Sequence, residues 1–162
     1  MSIMLSSEEI FGLAKEIENS GHAYYRTIAD STDSGELKEL FGYLAEQELA
    51  HYRFFDQLSR DYPELEIDGE EWEQTKAYIK ATSDSRFFAG EGKAISLART
   101  VKGPLAAIDI AIGFEKDTLL FFYELLNLTP PKSQAAARAI AEEEKRHIRL
   151  LSERKKSFTP GA

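Results

Sequence analysis

The chain has 162 residues, of which 43% are hydrophobic and 30% are charged, as is typical of one globular domain covering residues 1–162. Its formal net charge of −8 argues against nucleic acid as a partner, and the lack of cysteine excludes disulfides, iron–sulfur clusters and thiolate metal sites. No apolar run reaches membrane-spanning length and the N-terminal residues have no signal-peptide pattern, so we expect a cytoplasmic protein with no membrane partner.

Helical periodicity dominates the chain. It predicts four long helices, at about 7–30, 35–61, 104–128 and 131–157. Start and stop signals delimit these helices: Ser6-x-x-Glu9, Asp33-x-x-Glu36, Pro63, Gly103-Pro104 and Pro130-Pro131.

A crossover of about 62–103 joins the second long helix to the third. Asp68-x-x-Glu71 predicts a short helix to about Thr82, and another is predicted from Glu91 to Arg99. Trp72 is expected to anchor this segment to the rest of the chain. No strand-like alternation competes with the helices. Two helical hairpins joined by one long connection predict an all-α fold, a ferritin-like four-helix bundle whose crossover contains short helices.

The motif Glu-x-x-His occurs twice, as Glu48 with His51 in AEQELAH and as Glu144 with His147 in AEEEKRH. The surrounding stretches LAEQELAHYRFF and IAEEEKRHIRLL align without gaps. IENSGHAYY, in the first long helix, aligns more weakly with FEKDTLLFF in the third. The pattern indicates two copies of one helical hairpin, although shared packing demands could also produce it.

In the core-facing register, ionisable residues interrupt the apolar seam of every long helix near its middle. These residues are Glu18, Glu48, His51, Glu115, Glu144 and His147. Four buried carboxylates would repel one another, and the seam contains no lysine or arginine to neutralise them. Two divalent cations would balance the four charges, so we predict a dinuclear metal site. The alternative register places Glu46 and Glu142 in the core, where neither has a histidine at i+3.

Carboxylate and imidazole ligands suit iron or manganese, and zinc also binds them. Two further residues lie near the predicted ligands on the first helix. The Tyr25 hydroxyl either bonds a ligating carboxylate or belongs to an aromatic core residue, and its counterpart Phe122 has no hydroxyl. His22 either supports the metals or, as the more ordinary interpretation, lies partly exposed at the edge of the seam.

Four stretches, EIENSGHAYY, AEQELAH, FEKDTLLFF and AEEEKRH, resemble in this order the rubrerythrin-like branch of the ferritin-like di-iron superfamily. They span about residues 8–155. The resemblance implies two irons bridged by Glu48 and Glu144. It also implies terminal carboxylates and one histidine for each iron, from Glu18, Glu115, His51 and His147.

Two departures from the rubrerythrin pattern bear on function. Rubrerythrins proper carry a rubredoxin domain with four cysteines, whereas this chain has no cysteine, so a separate electron donor protein is expected. Thr118 occupies the position at which rubrerythrins have an additional glutamate.

The resemblance implies a non-haem di-iron oxidoreductase that reduces hydrogen peroxide or dioxygen and forms a homodimer. An iron oxidation, storage or delivery protein of the ferritin or bacterioferritin type is the alternative, because it uses the same ligand types. The long crossover and the lack of a haem-binding methionine count against it. A helical interaction domain with a structural metal is a third hypothesis.

Overall fold

The structure is a computed structural model that describes residues 1–83, 90–159 and 161. Its four long helices form two antiparallel hairpins, and the segment between the hairpins holds a strand and two shorter helices. The elements in chain order are β1 Ser2–Ser6, α1 Ser7–Ser31, α2 Gly35–Asp61, β2 Glu64–Asp68, α3 Gly69–Ser83, α4 Glu91–Thr100, α5 Pro104–Leu128, a 3₁₀ turn at Pro131–Ser133 and α6 Gln134–Ser157. Among the described residues, no helix is both long and apolar enough to cross a membrane.

The predicted all-α bundle with a long crossover is confirmed, with two differences at helix starts. Ser34, rather than Asp33, caps α2, and its hydroxyl accepts a hydrogen bond from Leu37 N at 3.3 Å. The fourth long helix begins at Gln134 instead of residue 131. Before it the chain closes a tight 3₁₀ turn over Pro131–Ser133, with a hydrogen bond from Ser133 N to Pro130 O at 2.8 Å.

A short antiparallel β-ribbon was not predicted. β1 pairs with β2, so that Ile3 lies opposite Ile67 and Leu5 opposite Leu65. β2 alternates polar and apolar residues, whereas β1 reads Ser-Ile-Met-Leu-Ser with Met4 60% exposed. In both strands one side is less exposed, and its apolar residues pack on the core. The expectation that no strand-like alternation competes with the helices missed this ribbon, because each strand has only five residues and is defined by its pairing with a segment distant in sequence.

One apolar core takes residues from all six α-helices and from β2. In the bundle, α1 packs along α2 and α5 packs along α6, while α4 packs against α1. Trp72 of α3 is buried in this core, which agrees with its predicted anchoring role. Because all four long helices present one face to the core, any polar residue on those faces is removed from water.

Candidate metal centre

Six buried ionisable side chains lie at one level of the bundle core. Each of the four long helices contributes at least one of them, and α2 and α6 each contribute a glutamate and a histidine three residues later. The glutamates have no exposed surface and the histidines are 2% exposed: Glu18, Glu48, Glu115, Glu144, His51 and His147. The structure thus brings together all the residues that the sequence predicted as ligands.

The six residues form two groups that overlap. One group contains Glu18 and His51, the other contains Glu115 and His147, and both contain Glu48 and Glu144. Within each group, one ligand atom from every residue lies within 4.8 Å of the others. Two neighbouring positions therefore exist at which a cation would meet three carboxylates and one imidazole, and the two positions share two of the carboxylates.

Both imidazoles turn Nδ1 towards the carboxylates. His51 Nδ1 lies 2.8 Å from Glu144 Oε1 and 3.6 Å from Glu18 Oε2. His147 Nδ1 lies 3.1 Å from Glu144 Oε2 and 3.5 Å from Glu115 Oε1. The i, i+3 spacing within one helix and the close approach of its neighbours produce this convergence.

The electrostatics of the cluster favour bound cations. Burial, together with the charges of neighbouring carboxylates, raises the pKa of Glu48 and of Glu115 well above 4.5. Burial also raises the pKa of Glu18, against the opposing effect of His51. For Glu144, burial would raise the pKa, but the close contacts with Glu115 and both histidines lower it. Three of the four carboxyls thus resist ionisation unless a positive charge compensates them.

The two histidines compensate part of this charge. Burial alone would lower their pKa, but the carboxylates around them have the larger combined effect. Glu18 and Glu144 raise the pKa of His51 to about 12, and Glu115 and Glu144 raise the pKa of His147 to about 9. No lysine or arginine among the described residues pairs with any of the four buried glutamates, so two imidazolium ions are the only protein cations beside them.

The unpartnered atoms of the cluster match a metal site. Among the described residues, eight of the nine buried side-chain nitrogen and oxygen atoms without a hydrogen bond belong to the six residues. They include both oxygens of Glu18 and of Glu48, and Glu115 Oε2. His51 Nδ1 and Glu144 Oε1 also belong to them, because these two atoms lie 2.8 Å apart without the angles of a hydrogen bond. Buried polar atoms are rarely left without a partner, and carboxylate oxygens and imidazole nitrogens are ligands of iron, manganese and zinc. The donor set therefore fits two divalent cations.

Tyr25 has both of the roles that the sequence left open. Its hydroxyl donates a hydrogen bond to Glu115 Oε1 at 2.6 Å, and its ring is fully buried against Phe41 and Phe114. Burial and the charge of Glu115 raise the pKa of Tyr25, which keeps the hydroxyl protonated and able to donate. The counterpart residue Phe122 lies in the apolar core, so this support exists in one half of the bundle alone.

Other residues considered from sequence lie outside the cluster. Glu46 and Glu142 have side chains that are 63% and 58% exposed, which excludes the alternative helix register. His22 is half-buried, and its Nδ1 lies 2.8 Å from the carbonyl oxygen of Ala45, so it has the ordinary position expected for it. Thr118 is fully buried one turn after Glu115.

Two features of the site were not recognised from sequence. A Cβ atom on Gly21 would lie 2.5 Å from Glu48 Oε2 and 2.7 Å from Phe114 Cε1, so the carboxylate occupies space that any side chain would take. Glu143 Oε2 lies 2.7 Å from His51 Nε2, on the side of the ring facing away from the cluster. The sequence contains a signal for each feature: Gly21 lies on the seam of α1, and Glu143 directly precedes Glu144.

The bundle, its crossover and the buried Glu and His cluster define a ferritin-like protein with a carboxylate-rich centre. The solved structure of a Thermotoga maritima protein, provisionally described as a ferritin-like diiron-carboxylate protein, matches with a TM-score of 0.67 and 25% sequence identity. The match covers 96% of this chain and 97% of that chain. The chain belongs to the rubrerythrin family, whose sequence profile matches residues 9–155. No functionally curated protein matches it.

Proposed function

We propose that the chain is a di-iron oxidoreductase that reduces hydrogen peroxide or dioxygen. The proposal rests on one observation: two overlapping ligand groups, each with three carboxylates and one imidazole, lie inside a bundle of the rubrerythrin family. Glu18 and His51 would hold one iron, and Glu115 and His147 the other. Glu48 and Glu144 are common to both groups and would be shared by the two irons.

Iron at this centre would supply reversible one-electron chemistry and an open coordination position for the oxidant. The chain's own residues supply the environment. Four carboxylates concentrate negative charge that favours the higher oxidation state, and their complete burial excludes bulk water. The Tyr25 hydroxyl holds one oxygen of Glu115 in place by donating to it.

The electrons must come from outside the chain. Reduction of one hydrogen peroxide molecule to two water molecules consumes two electrons and two protons. The 162 residues contain no cysteine, so no rubredoxin-type iron site lies within them to supply the electrons. The proposal therefore includes a separate electron donor protein, with protons taken from solvent.

Iron uptake tests the ligand assignment. Glu48→Gln removes a fully buried carboxylate that both groups share, whereas Glu46→Gln removes a 63% exposed carboxylate two residues away on the same helix. We expect anaerobic Fe²⁺ titration to give two ions per chain in the unmodified protein and in Glu46→Gln, and fewer in Glu48→Gln. Equal uptake by both variants would contradict the assignment.

Peroxide addition tests the activity. The iron-loaded protein is reduced without oxygen, mixed with one equivalent of hydrogen peroxide and followed by optical absorption and by peroxide consumption. We expect rapid oxidation of the bound iron and repeated turnover when a reductant is present. Slow or absent oxidation of stoichiometrically bound iron would overturn the redox proposal and favour a structural metal.

Native mass and iron capacity separate this proposal from iron storage. The expected homodimer, with no more than two irons per chain, fits an enzyme. A large closed cage that accumulates excess iron as a mineral would instead support the storage alternative. Size-exclusion chromatography with light scattering, together with metal analysis after aerobic iron loading, measures both properties.

A further inference from the structure

Glu143 makes a contact across the α2–α6 interface that the proposed iron chemistry does not use. Its Oε2 lies 2.7 Å from His51 Nε2, while His51 Nδ1 faces Glu18 and Glu144 on the opposite side of the ring. The imidazole is 2% exposed and the carboxylate of Glu143 is 34% exposed. The contact therefore joins the buried centre to the edge of the bundle.

This contact constrains the state in which His51 can bind a cation. A metal-binding imidazole is neutral and carries one N–H, on the nitrogen that the metal does not occupy. A carboxylate that accepts the N–H at Nε2 leaves the lone pair on Nδ1, which is the atom facing the other ligands. The same hydrogen bond sets the rotation of the ring and increases the basicity of Nδ1.

The second histidine has no such support. His147 Nε2 has no hydrogen-bond partner among the described residues, and the ring lies edge-on to Tyr43 with their centroids 6.2 Å apart. In the two aligned motifs, AEEEKRH and AEQELAH, Gln47 stands where Glu143 stands. The two halves of the bundle thus differ by one carboxylate at matched positions.

We propose that Glu143 is a positioning residue that fixes the ring of His51 and makes the two cation positions unequal. The position that includes His51 binds its cation more tightly and fills first. This inference rests on the proposed dinuclear centre and adds an order of filling to it.

The neighbouring arginine does not account for the placement of Glu143. Arg146 Nη2 lies 3.4 Å from Glu143 Oε1, and the Arg146 side chain is 60% exposed, so this pair is an ordinary surface contact. The other carboxylate oxygen is the one directed at His51. A glutamate that contacted only solvent and Arg146 would not have an oxygen 2.7 Å from a buried imidazole.

Calorimetric titration of the chelator-treated full chain with Zn²⁺, which has no redox chemistry, provides the test. Glu143→Ala removes the acceptor, Glu143→Gln keeps an acceptor oxygen without the charge, and Glu142→Ala removes a neighbouring exposed carboxylate that pairs with Lys145. We expect Glu143→Ala to weaken the tighter of two binding steps by about 10- to 100-fold. Glu143→Gln should retain most of that affinity, and Glu142→Ala should retain all of it.

A second readout distinguishes positioning from general stability. Long-range proton–nitrogen NMR spectra of the zinc-loaded chain should show the His51 proton on Nε2 in the unmodified protein, and this signal should be lost or displaced in Glu143→Ala. Unchanged binding steps in Glu143→Ala, equal weakening of both steps, or the same loss in Glu142→Ala would overturn the inference. Failure of the unmodified chain to bind two zinc ions would instead overturn the dinuclear centre itself.

Discussion

Gly21 lies at the candidate metal centre, where the carboxylate of Glu48 occupies the space that a side chain at Gly21 would fill. Its counterpart in the second hairpin is Thr118, which has a side chain and is also fully buried. The two halves therefore pack differently around the candidate ligands although their motifs align. Glu48 approaches α1 closely because glycine stands one turn after Glu18.

Gly21→Ala should destabilise the protein and weaken metal binding. The added methyl group would overlap Glu48 Oε2 and the Phe114 ring, both in closely packed surroundings, so we expect a loss of about 1–3 kcal/mol in the free energy of unfolding. Gly42→Ala on α2 is the matched control, because a Cβ there meets no atom within 4 Å, and it should gain about 0.5–1 kcal/mol. Urea unfolding measures both, and a neutral Gly21→Ala would contradict the steric argument.

Tyr25→Phe should cost more than Tyr24→Phe. The Tyr25 hydroxyl donates to a carboxylate, a bond worth about 1.5–3 kcal/mol when the acceptor is charged, whereas Tyr24 donates to the carbonyl oxygen of Ala107, worth about 0.5–1.5 kcal/mol. Chemical unfolding of the metal-loaded variants compares them directly. A larger loss in Tyr24→Phe would contradict the greater strength that we assign to the bond between Tyr25 and Glu115.

At the scale of elements, the β-ribbon and α1 are joined by one residue. Ser6 ends β1 and caps α1: its hydroxyl accepts from Glu9 N at 3.3 Å, and the Glu9 carboxylate accepts from Ser6 N at 3.1 Å. This capping box was predicted from Ser6-x-x-Glu9, although the strand before it was not. Four consecutive residues were thus sufficient to predict where α1 begins. β1 could not be predicted in this way, because it forms by pairing with β2, a segment distant in sequence.

Ser6→Ala should lower the free energy of unfolding by about 1 kcal/mol, because the N–H of Glu9 loses its acceptor. Zinc or iron stoichiometry should stay unchanged, since α1 is held along its length by α2 and α4. Ser2→Ala, at the exposed start of the same strand, is the control and should have little effect. The prediction is wrong if the two alanine variants unfold at the same urea concentration.

At the scale of the whole molecule, the buried cluster couples folding to pH. Glu18, Glu48 and Glu115 have raised pKa values, so each binds its proton more tightly in the folded chain than in the unfolded chain. The resulting stabilisation is fully present below pH 4.5 and is lost as the pH rises. The histidines, whose pKa values are raised from 6.5 to about 12 and about 9, stabilise the folded chain below pH 6.5 and lose that effect at higher pH. Glu144 alone has the opposite sign, because its pKa is lowered.

The chelator-treated chain should therefore become less stable as pH rises between about 5 and 9, because the unfolded chain releases the protons of these five groups more readily than the folded chain does. Two bound divalent cations replace those protons, so the metal-loaded chain should lose much less. Urea unfolding at several pH values, with chelator and with two equivalents of metal, measures the difference. A chelator-treated chain that instead gains stability as pH rises would show that the buried carboxyls do not hold their protons in the folded state.

The residues of the candidate centre could be predicted from the sequence, because they recur with the helical period. Steps of three and four along each helix place Glu18, Glu48, Glu115, Glu144 and both histidines on apolar seams, and a seam must face a core. The same periodicity predicted the four long helices to within three residues at each end. These conclusions need no knowledge of how one helix is rotated against another.

The tertiary structure alone decided how residues of different helices meet. The hydrogen bond of Tyr25 to Glu115, the contact of Glu143 with His51 and the approach of Glu48 to Gly21 each join separate helices. The pairing of β1 with β2 likewise brings together segments about sixty residues apart. Such contacts depend on the rotation and axial shift of whole elements, which side-chain packing sets to within an ångström and which local periodicity does not encode.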